Sequence, residues 1–519
     1  MTAATDAPVR HGPARPASAG PLTAARLLRI ELRRTAMLWM LPLLAALFWF
    51  SAYRPSMALP PLWNLRGTII QQQALLAFAP LVAGAAAWMG SREGRRGTAD
   101  LVGVTALPRW AGQLATWAAT TCWAMVAYLG GVAVVYGITA QQATWGGPLW
   151  WPVAVGAATV AASCALGFAA GALVPSRFTA PLVAVVVFLA LGAGAVAIEH
   201  NNTYAQIWPL NVQGALPPEA FGVFSPYLPD LAITQVLFLA GLAAAVLGGL
   251  GVRAAAGGRW RRCVAAALAA AGLAAAGTGV GLAGTARLEA NGIVIPALHD
   301  AAADKPVAYT PVCSHAAVPV CLHPAYRSLL PAVTAALGPL LSEVAGLPGA
   351  PVRVSQVAIT HLQQRPHNGI EISGPVFGGS PPVLSLPLSG MALPGEEHTT
   401  TADFIDQLRL QSPAMILNPL FGGDQQDTDS QQGRQVQRGK QGSAQPPSQG
   451  VLAQQVIKAA LAQVAGVPPG NGVPPLPPSG PADAAAKRFA ALPAAARHAW
   501  LVDHLTALRA GQITLGELP

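Results

Sequence analysis

The chain has 519 residues, 53% of them hydrophobic and 10% charged, with a mean hydropathy of +0.44. Soluble domains average about 25% charged residues, so this composition excludes an ordinary cytosolic enzyme. The formal net charge of +9 is unevenly placed: residues 1–285 hold 17 Lys/Arg and 7 Asp/Glu, a balance of +10, whereas residues 286–519 hold 14 and 15, a balance of −1. The basic excess sits between hydrophobic runs rather than along a soluble face, which points to membrane topology and away from nucleic acid.

Residues 1–20 are rich in Pro and Ala and are read as a disordered start, within a cytoplasmic N-terminus covering 1–22. They lack the apolar core of a signal peptide, so targeting falls to uncleaved spans. A transmembrane helix needs about 20 mostly apolar residues, and seven stretches qualify: 36–53, 67–90, 111–138, 150–174, 179–198, 230–252 and 263–284. No Asp, Glu, Lys or Arg lies in their central portions. Connections on one side, with the N-terminus, carry Arg10, Arg15, Arg26, Arg29, Arg33, Arg34, Arg92, Arg95, Arg96, Arg109, Arg177, Arg253, Arg259, Arg261 and Arg262. The alternate connections carry Arg54 and Arg66, and the long one over 199–229 has no basic residue. The positive-inside rule then places the N-terminus in the cytoplasm and, with an odd span count, residues 286–519 outside.

Five cysteines divide the same way. Cys122, Cys164 and Cys263 fall in or beside spans and read as small apolar fillers. Cys313 and Cys321 lie in the proposed outer region, where an oxidising compartment permits a disulfide. His315 and His323 also make a C-x-H repeat there. That is not a usual zinc spacing, so a disulfide flanked by ordinary loop histidines is the preferred reading.

The outer region reads as a small α+β domain. Tyr309–Val320 resembles strand and turn. Leu329, Leu330, Val333, Leu337, Leu340, Leu341 and Val344 recur at helical spacing, predicting a helix over 325–346 with a late start or kink at Pro331 and Pro339. Gly346 and Pro348 end it. Strands are expected at 351–360, 369–373 and 382–387, and a helix at 401–411. Residues 423–449 are almost devoid of apolar side chains and read as a disordered insert. Helices follow at 450–465, 483–491 and 494–510, with Gly511 as the last cap.

Little supports catalysis. Neither H-E-x-x-H nor G-x-S-x-G occurs, the acidic pair Glu396–Glu397 beside His398 reads as solvated charge near a helix start, and no catalytic or metal-binding residue is assigned. The Asn201-Asn202-Thr203 sequon is given little weight. Ion-coupled transporters keep ionisable residues inside their spans. Here the polar residues of span two are Gln71, Gln72 and Gln73, which disfavours secondary transport. The pairs Gly167–Gly171 and Gly277–Gly281 fit close helix packing.

The connection after span two is the most informative segment. It reads Ser91-Arg-Glu-Gly-Arg-Arg-Gly-Thr-Ala-Asp100-Leu-Val-Gly-Val-Thr-Ala-Leu-Pro-Arg-Trp110. Thr98 is placed to cap a short helix, with Asp100 in its first turn and Pro108 as its stop. From composition alone it is a solvated basic loop. The segment resembles the coupling segment of type-2 ABC-transporter permeases, E-x-x-x-G-T-x-E/D-L before a Thr-Pro-like turn, matched by Glu93, Gly97, Thr98, Asp100, Leu101, Thr105 and Pro108. It departs in having Asp100 for the commoner Glu and an extra Ala106-Leu107. Residues 23–34, TAARLLRIELRR, are similar to the family's interfacial elbow helix, and 199–229 resembles its outer re-entrant hairpin. The Ala/Arg/Pro-rich, Lys-poor style resembles actinobacterial permeases carrying an extra outer domain.

The resemblance covers about residues 22–252. It implies a mostly α, polytopic membrane protein of the bacterial cell membrane, with an elbow over 23–35 and a six-span unit over 36–252; the basic loop and seventh span over 253–285 and the outer domain over 286–519 depart from the six-span pattern. It implies an export permease working as a homodimer or beside a second permease, with ATP and Mg bound by a separate ATPase docked on 91–109. The chain has no Walker A sequence of its own and no cofactor is assigned to it. Glu93 and Asp100 would pair with the ATPase. The alternative is a membrane-anchored outer binding or scaffold domain without transport.

Overall fold

The structure, a computed structural model, describes residues 21–97, 109–199, 206–212, 223–254, 259–289, 292–357, 362–364, 370–372, 376–386, 388, 401–422, 448–467, 476–477 and 479–519. The predicted residues Thr98, Asp100, Leu101, Thr105 and Pro108, the sequon, the Glu396–His398 cluster and nearly all of the 423–449 insert lie outside them.

Helix α1 (Pro21–Arg34) precedes α2 (Met37–Ala58), α3 (Trp63–Gly90), α4 (Arg109–Gln142), α5 (Trp150–Leu173), α6 (Thr179–Glu199), α7 (Asp230–Ala254) and α8 (Arg259–Ala283). Six of these, α2 to α5 with α7 and α8, are long and apolar enough to cross a membrane, and the Thr179–Gly194 part of α6 is a shorter apolar helix. The chain is thus mostly helical and compatible with a membrane-embedded protein. α3, α4 and α8 begin two to four residues before the apolar runs, and α2 and α4 end four or five residues after them, because a helix continues past the hydrocarbon into residues that are merely helix-compatible. The clearest correction is Arg66. Read from sequence as a loop residue, it lies within α3 and is 1% exposed.

α3 and α5 form the centre of the bundle. A Cβ on Gly167 or Gly171 of α5 would collide with the carbonyl oxygens of Ala83 and Ala87 on α3, and one on Gly90 with that of Phe168. The two backbones therefore touch, as small residues permit where lipid supplies no hydrophobic drive between helices. α6 packs on α3, α7 on α5, and α2 and α4 on the remaining flank. α8 lies at the edge against α7 alone, where Gly241, Gly248 and Gly272 make the same backbone contact. Gly277 and Gly281, the pair singled out from sequence, face open space. α2 and α3 each contain a π-helical turn, Trp49–Tyr53 and Ile70–Ala74, and the two turns touch.

The C-terminal part begins with the hairpin β1 (Arg287–Glu289) and β2 (Gly292–Val294). Next come β3 (Val312–Cys313), β4 (Val320–Leu322), α9 (Leu330–Val344), β5 (Arg353–Gln356), β6 (Leu362–Gln364), β7 (Ile370–Ile372), β8 (Val376–Gly378) and β9 (Val383–Leu386). Four helices finish the chain: α10 (Thr401–Phe421), α11 (Gln449–Val464), α12 (Pro481–Ala491) and α13 (Ala494–Arg509). The main sheet has the order β3-β4-β5-β9-β8, with β4, β5 and β9 parallel and both edge strands antiparallel, while β6 and β7 pair separately. α9 is the crossover between parallel strands β4 and β5.

The predicted stripe of α9 is buried at Val333, Leu337, Leu340, Leu341 and Val344. A 3-10 turn, Pro324–Leu329, delays its start, which puts Pro331 in the first turn where a missing N–H costs nothing. Helix α10 runs ten residues past the predicted end at 411 despite Pro413. Proline removes the N–H that the Arg409 carbonyl would accept, and the Ser412 hydroxyl donates to that carbonyl instead at 2.8 Å. Gly511 follows α13 with φ +66°, as a left-handed cap requires.

The contrast between the two glycine pairs gives a direct test. Gly171→Ala should push α3 and α5 apart and lower the melting temperature of the full chain in detergent. Gly277→Ala, with space available and about 1 kcal/mol of helix propensity to gain, should leave it unchanged or raise it. Equal effects at both positions would contradict the packing described.

Candidate functional site

The helix ends gather into two opposite sets of connections. At one end the turn Arg92–Arg95 follows α3, and Gly94 lies so close to Pro175, just after α5, that a Cβ there would collide with the proline ring. Arg109 opens α4 nearby, and Trp110 packs on Gly251 of α7. This is the basic end. α1 is fastened to it by Arg92, whose Nη2 donates to both carboxylate oxygens of Glu31 at 3.0 and 3.1 Å. Trp123 of α4 also donates its indole N–H to the Leu32 carbonyl at 2.9 Å. Thus the amphipathic helix and the α3–α4 connection are one linked surface.

Of the residues assigned to coupling, Glu93 and Gly97 are described. Gly97 has φ +63°, ending the turn in a conformation glycine adopts freely. Glu93 lies 3.8 Å from Arg109 Nε, so its carboxylate faces a cation of its own chain. The pair spans the two ends of the 91–109 segment.

The opposite end is where sequence reasoning found least. Arg66 Nη1 donates to Thr139 Oγ1 at 2.8 Å and Nη2 to Gln142 Oε1 at 2.9 Å, tying α3 to the end of α4. Gln71, noted from sequence only as polar, donates its amide to the carbonyls of Pro209 and Asn211 at 2.8 and 3.1 Å. Gln235 of α7 does the same for Trp208 and Asn211 at 2.7 and 2.9 Å. Two side-chain amides thereby serve irregular backbone that would otherwise bury unpaired carbonyls. Glutamines within spans are the signal that marks such a segment.

The C-terminal part sits on this same end. Its core of β4, β5, β9 and the helices α9 to α13 also takes in Leu62 from the α2–α3 connection, Leu65 from the first turn of α3, and Val223 and Phe224 from the segment before α7. The α4–α5 connection joins through Thr144, which donates to the Pro324 carbonyl at 2.7 Å, and through Trp145. At the centre is His323. Read as an ordinary loop histidine, it is instead 0% exposed and enclosed by Tyr309, Trp145 and Phe224, ring centroids 4.2, 4.5 and 5.2 Å away. Its Nδ1 accepts the Ala325 N–H at 3.1 Å, capping the 3-10 turn, so the neutral ring carries its proton on Nε2 among the aromatic faces. Burial pushes the imidazole pKa down to about 4. The disulfide Cys313–Cys321 closes the β3–β4 hairpin two residues before His323. It consumes the thiolates that a zinc site would need, and among the described residues no group of His, Cys, Asp and Glu converges on a metal-sized site.

A second histidine fastens the segment after β2. Asp230, 1% exposed at the start of α7, accepts the Ile295 N–H at 3.0 Å. Its Oδ2 lies 3.4 Å from His299 Nδ1, and His299 Nε2 is 3.2 Å from Asp304. Hydrogen bonding to Asp304, aided by the charge of both carboxylates, raises the His299 pKa. Only the imidazolium presents a proton to both.

The two histidines give opposite pH dependences at one junction. His299 gains affinity for its proton on folding, so its contribution is complete below the unfolded value near 6.5 and is lost as pH rises through the folded value. His323 loses affinity, so its contribution is complete above about 6.5 and is lost as pH falls towards about 4. Hydrogen exchange of the full chain should show residues 292–304 loosening on the alkaline side and 320–326 on the acid side. His299→Gln should abolish the first without altering the second; retention of both limbs in that variant would refute the assignment.

Comparison with protein-family models, with curated proteins and with solved structures gave no match to this chain.

Proposed function

We propose that the chain is the membrane-spanning permease subunit of an ABC transporter, an exporter powered by a separate ATPase that docks on the 91–109 segment. In this reading the basic end is cytoplasmic, the C-terminal part is extracytoplasmic, and two such chains, or this chain and a second permease, form the path. The observation that carries it is the joining of α1 to the α3–α4 connection by Glu31–Arg92 and Trp123–Leu32. An amphipathic helix lying at the basic end and bound to the connecting segment is the arrangement a docked motor needs. Force on the segment reaches α1 through Arg92, the α5–α6 connection through Gly94 and Pro175, and the bundle centre through α3.

The spans offer no ionisable relay at their centres, which fits a mechanism driven by a partner's ATP better than one driven by ions. ATP and Mg belong to that partner. A second reading, a membrane-anchored binding or scaffold domain, draws on the size of the C-terminal core. It expects residues 286–519 to fold and act when detached. Leu62, Leu65, Val223 and Phe224 belong to the same core, and this sharing favours the first reading.

Affinity purification from native membranes in mild detergent, with cross-linking and mass spectrometry of co-eluting chains, should recover an ATPase bearing a Walker A sequence in stoichiometric amount. Glu93→Arg should reduce that recovery several-fold without reducing membrane insertion, and Glu93→Arg with Arg109→Glu should restore part of it. An intact, abundant chain that brings down no ATPase would overturn the proposal.

A further inference from the structure

The corner of the basic end where α3, α5 and α6 meet has a composition that the docking of a motor does not use. Arg95 lies over the ring of Trp88, 3.5 Å from its centroid, and donates Nη2 to the Trp88 carbonyl at 3.0 Å. Its Nε has no acceptor among the described residues. Arg177, exposed, lies 5.1 Å over the ring of Phe178. The two sites adjoin, because the turn carrying Arg95 packs on Pro175, two residues before Arg177. Neither arginine has a carboxylate within salt-bridge distance among the described residues. The nearby acids Glu31 and Glu93 face Arg92 and Arg109.

Beyond this pair the surface turns apolar. Phe178, just before α6, and Leu182, Val185 and Leu189 along it recur at helical spacing and are all at least half exposed. The corner therefore sets two guanidinium groups, without a carboxylate partner among the described residues, on aromatic rings at the boundary of an apolar helix face. A guanidinium pairs with phosphate through directed N–H donors, aromatic rings favour the level of lipid headgroups, and an apolar face accepts acyl chains.

We propose that this corner binds an anionic glycerophospholipid, its phosphate held by Arg95 and Arg177 and its acyl chains laid along α6. A protein partner fits less well, since the apolar face runs directly away from the basic end along the bundle. The inference does not depend on the identity of the motor or on transport.

The test is native mass spectrometry of the detergent-solubilised full chain with added phosphatidylglycerol or phosphatidylcholine of the same acyl length. The wild-type chain should retain phosphatidylglycerol preferentially. At about fivefold per basic residue near a membrane surface, Arg177→Gln should weaken binding about fivefold, and Arg95→Gln with Arg177→Gln about 30-fold. Phosphatidylcholine binding should be unchanged. Arg177 is exposed, so the single variant reports on binding even if the double variant folds poorly. Equal retention of both lipids by the wild type would overturn the proposal. So would unchanged phosphatidylglycerol affinity in Arg177→Gln, or its displacement by excess inorganic phosphate.

Discussion

In lipid a helix gains nothing by hiding its apolar side chains against another helix, so association has to come from close approach of the backbones. α3 and α5 meet that constraint through Gly90, Gly167 and Gly171 set against carbonyls and alanines, leaving no room even for a methyl group. Everything else is arranged around this contact. α6 and α7 add to its two sides, and α8 repeats the device at one remove against α7. A contact made of backbone has few alternative registers, since a shift along the axis brings a Cβ where none fits. The bundle centre is accordingly stiff, and the variable chemistry lies at its ends.

The two ends handle polar groups differently. At the basic end, arginines are numerous and exposed, and the few carboxylates are consumed by pairs that fasten one segment to the next. At the other end the described polar groups are buried and each has a fixed partner: Gln71 and Gln235 carbonyls, Arg66 the side chains of Thr139 and Gln142, and Asp230 the Ile295 N–H and His299. Burying a guanidinium among neutral acceptors is costly, and the cover supplied by the C-terminal part makes that end drier still. His299 and His323 respond to protons in opposite senses, so the junction is tightest in a window between them rather than at either extreme.

Much of this was legible in the sequence. Long apolar runs located the helices, the seven-residue stripe of α9 identified a helix, and the placement of Cys313 and Cys321 in the outer region identified a disulfide. Helix ends were less legible, because hydropathy reports the hydrocarbon and not the helix; Arg66 was misplaced for that reason. Pro413 reads as a stop unless the preceding serine is recognised as a substitute donor. The reading of His323 as an ordinary loop residue failed because its surroundings come from distant segments. Nothing local to His323 reveals that Tyr309, Trp145 and Phe224 will enclose it, and nothing local to Glu93 reveals that Arg109 faces it. Asp230 carried a readable signal, an acid opening a helix directly after Pro229, but its partner Ile295 lies 65 residues away.

The shared core also bears on how the chain is made. Leu62, Leu65, Val223 and Phe224 emerge early in synthesis, yet the side chains that cover them come from residues 318–518. Until those residues leave the ribosome, the bundle carries apolar residues at one end without this cover, a transiently exposed surface of the kind that invites aggregation. The order of the elements along the chain thus makes the burial of what is made first wait on what is made later.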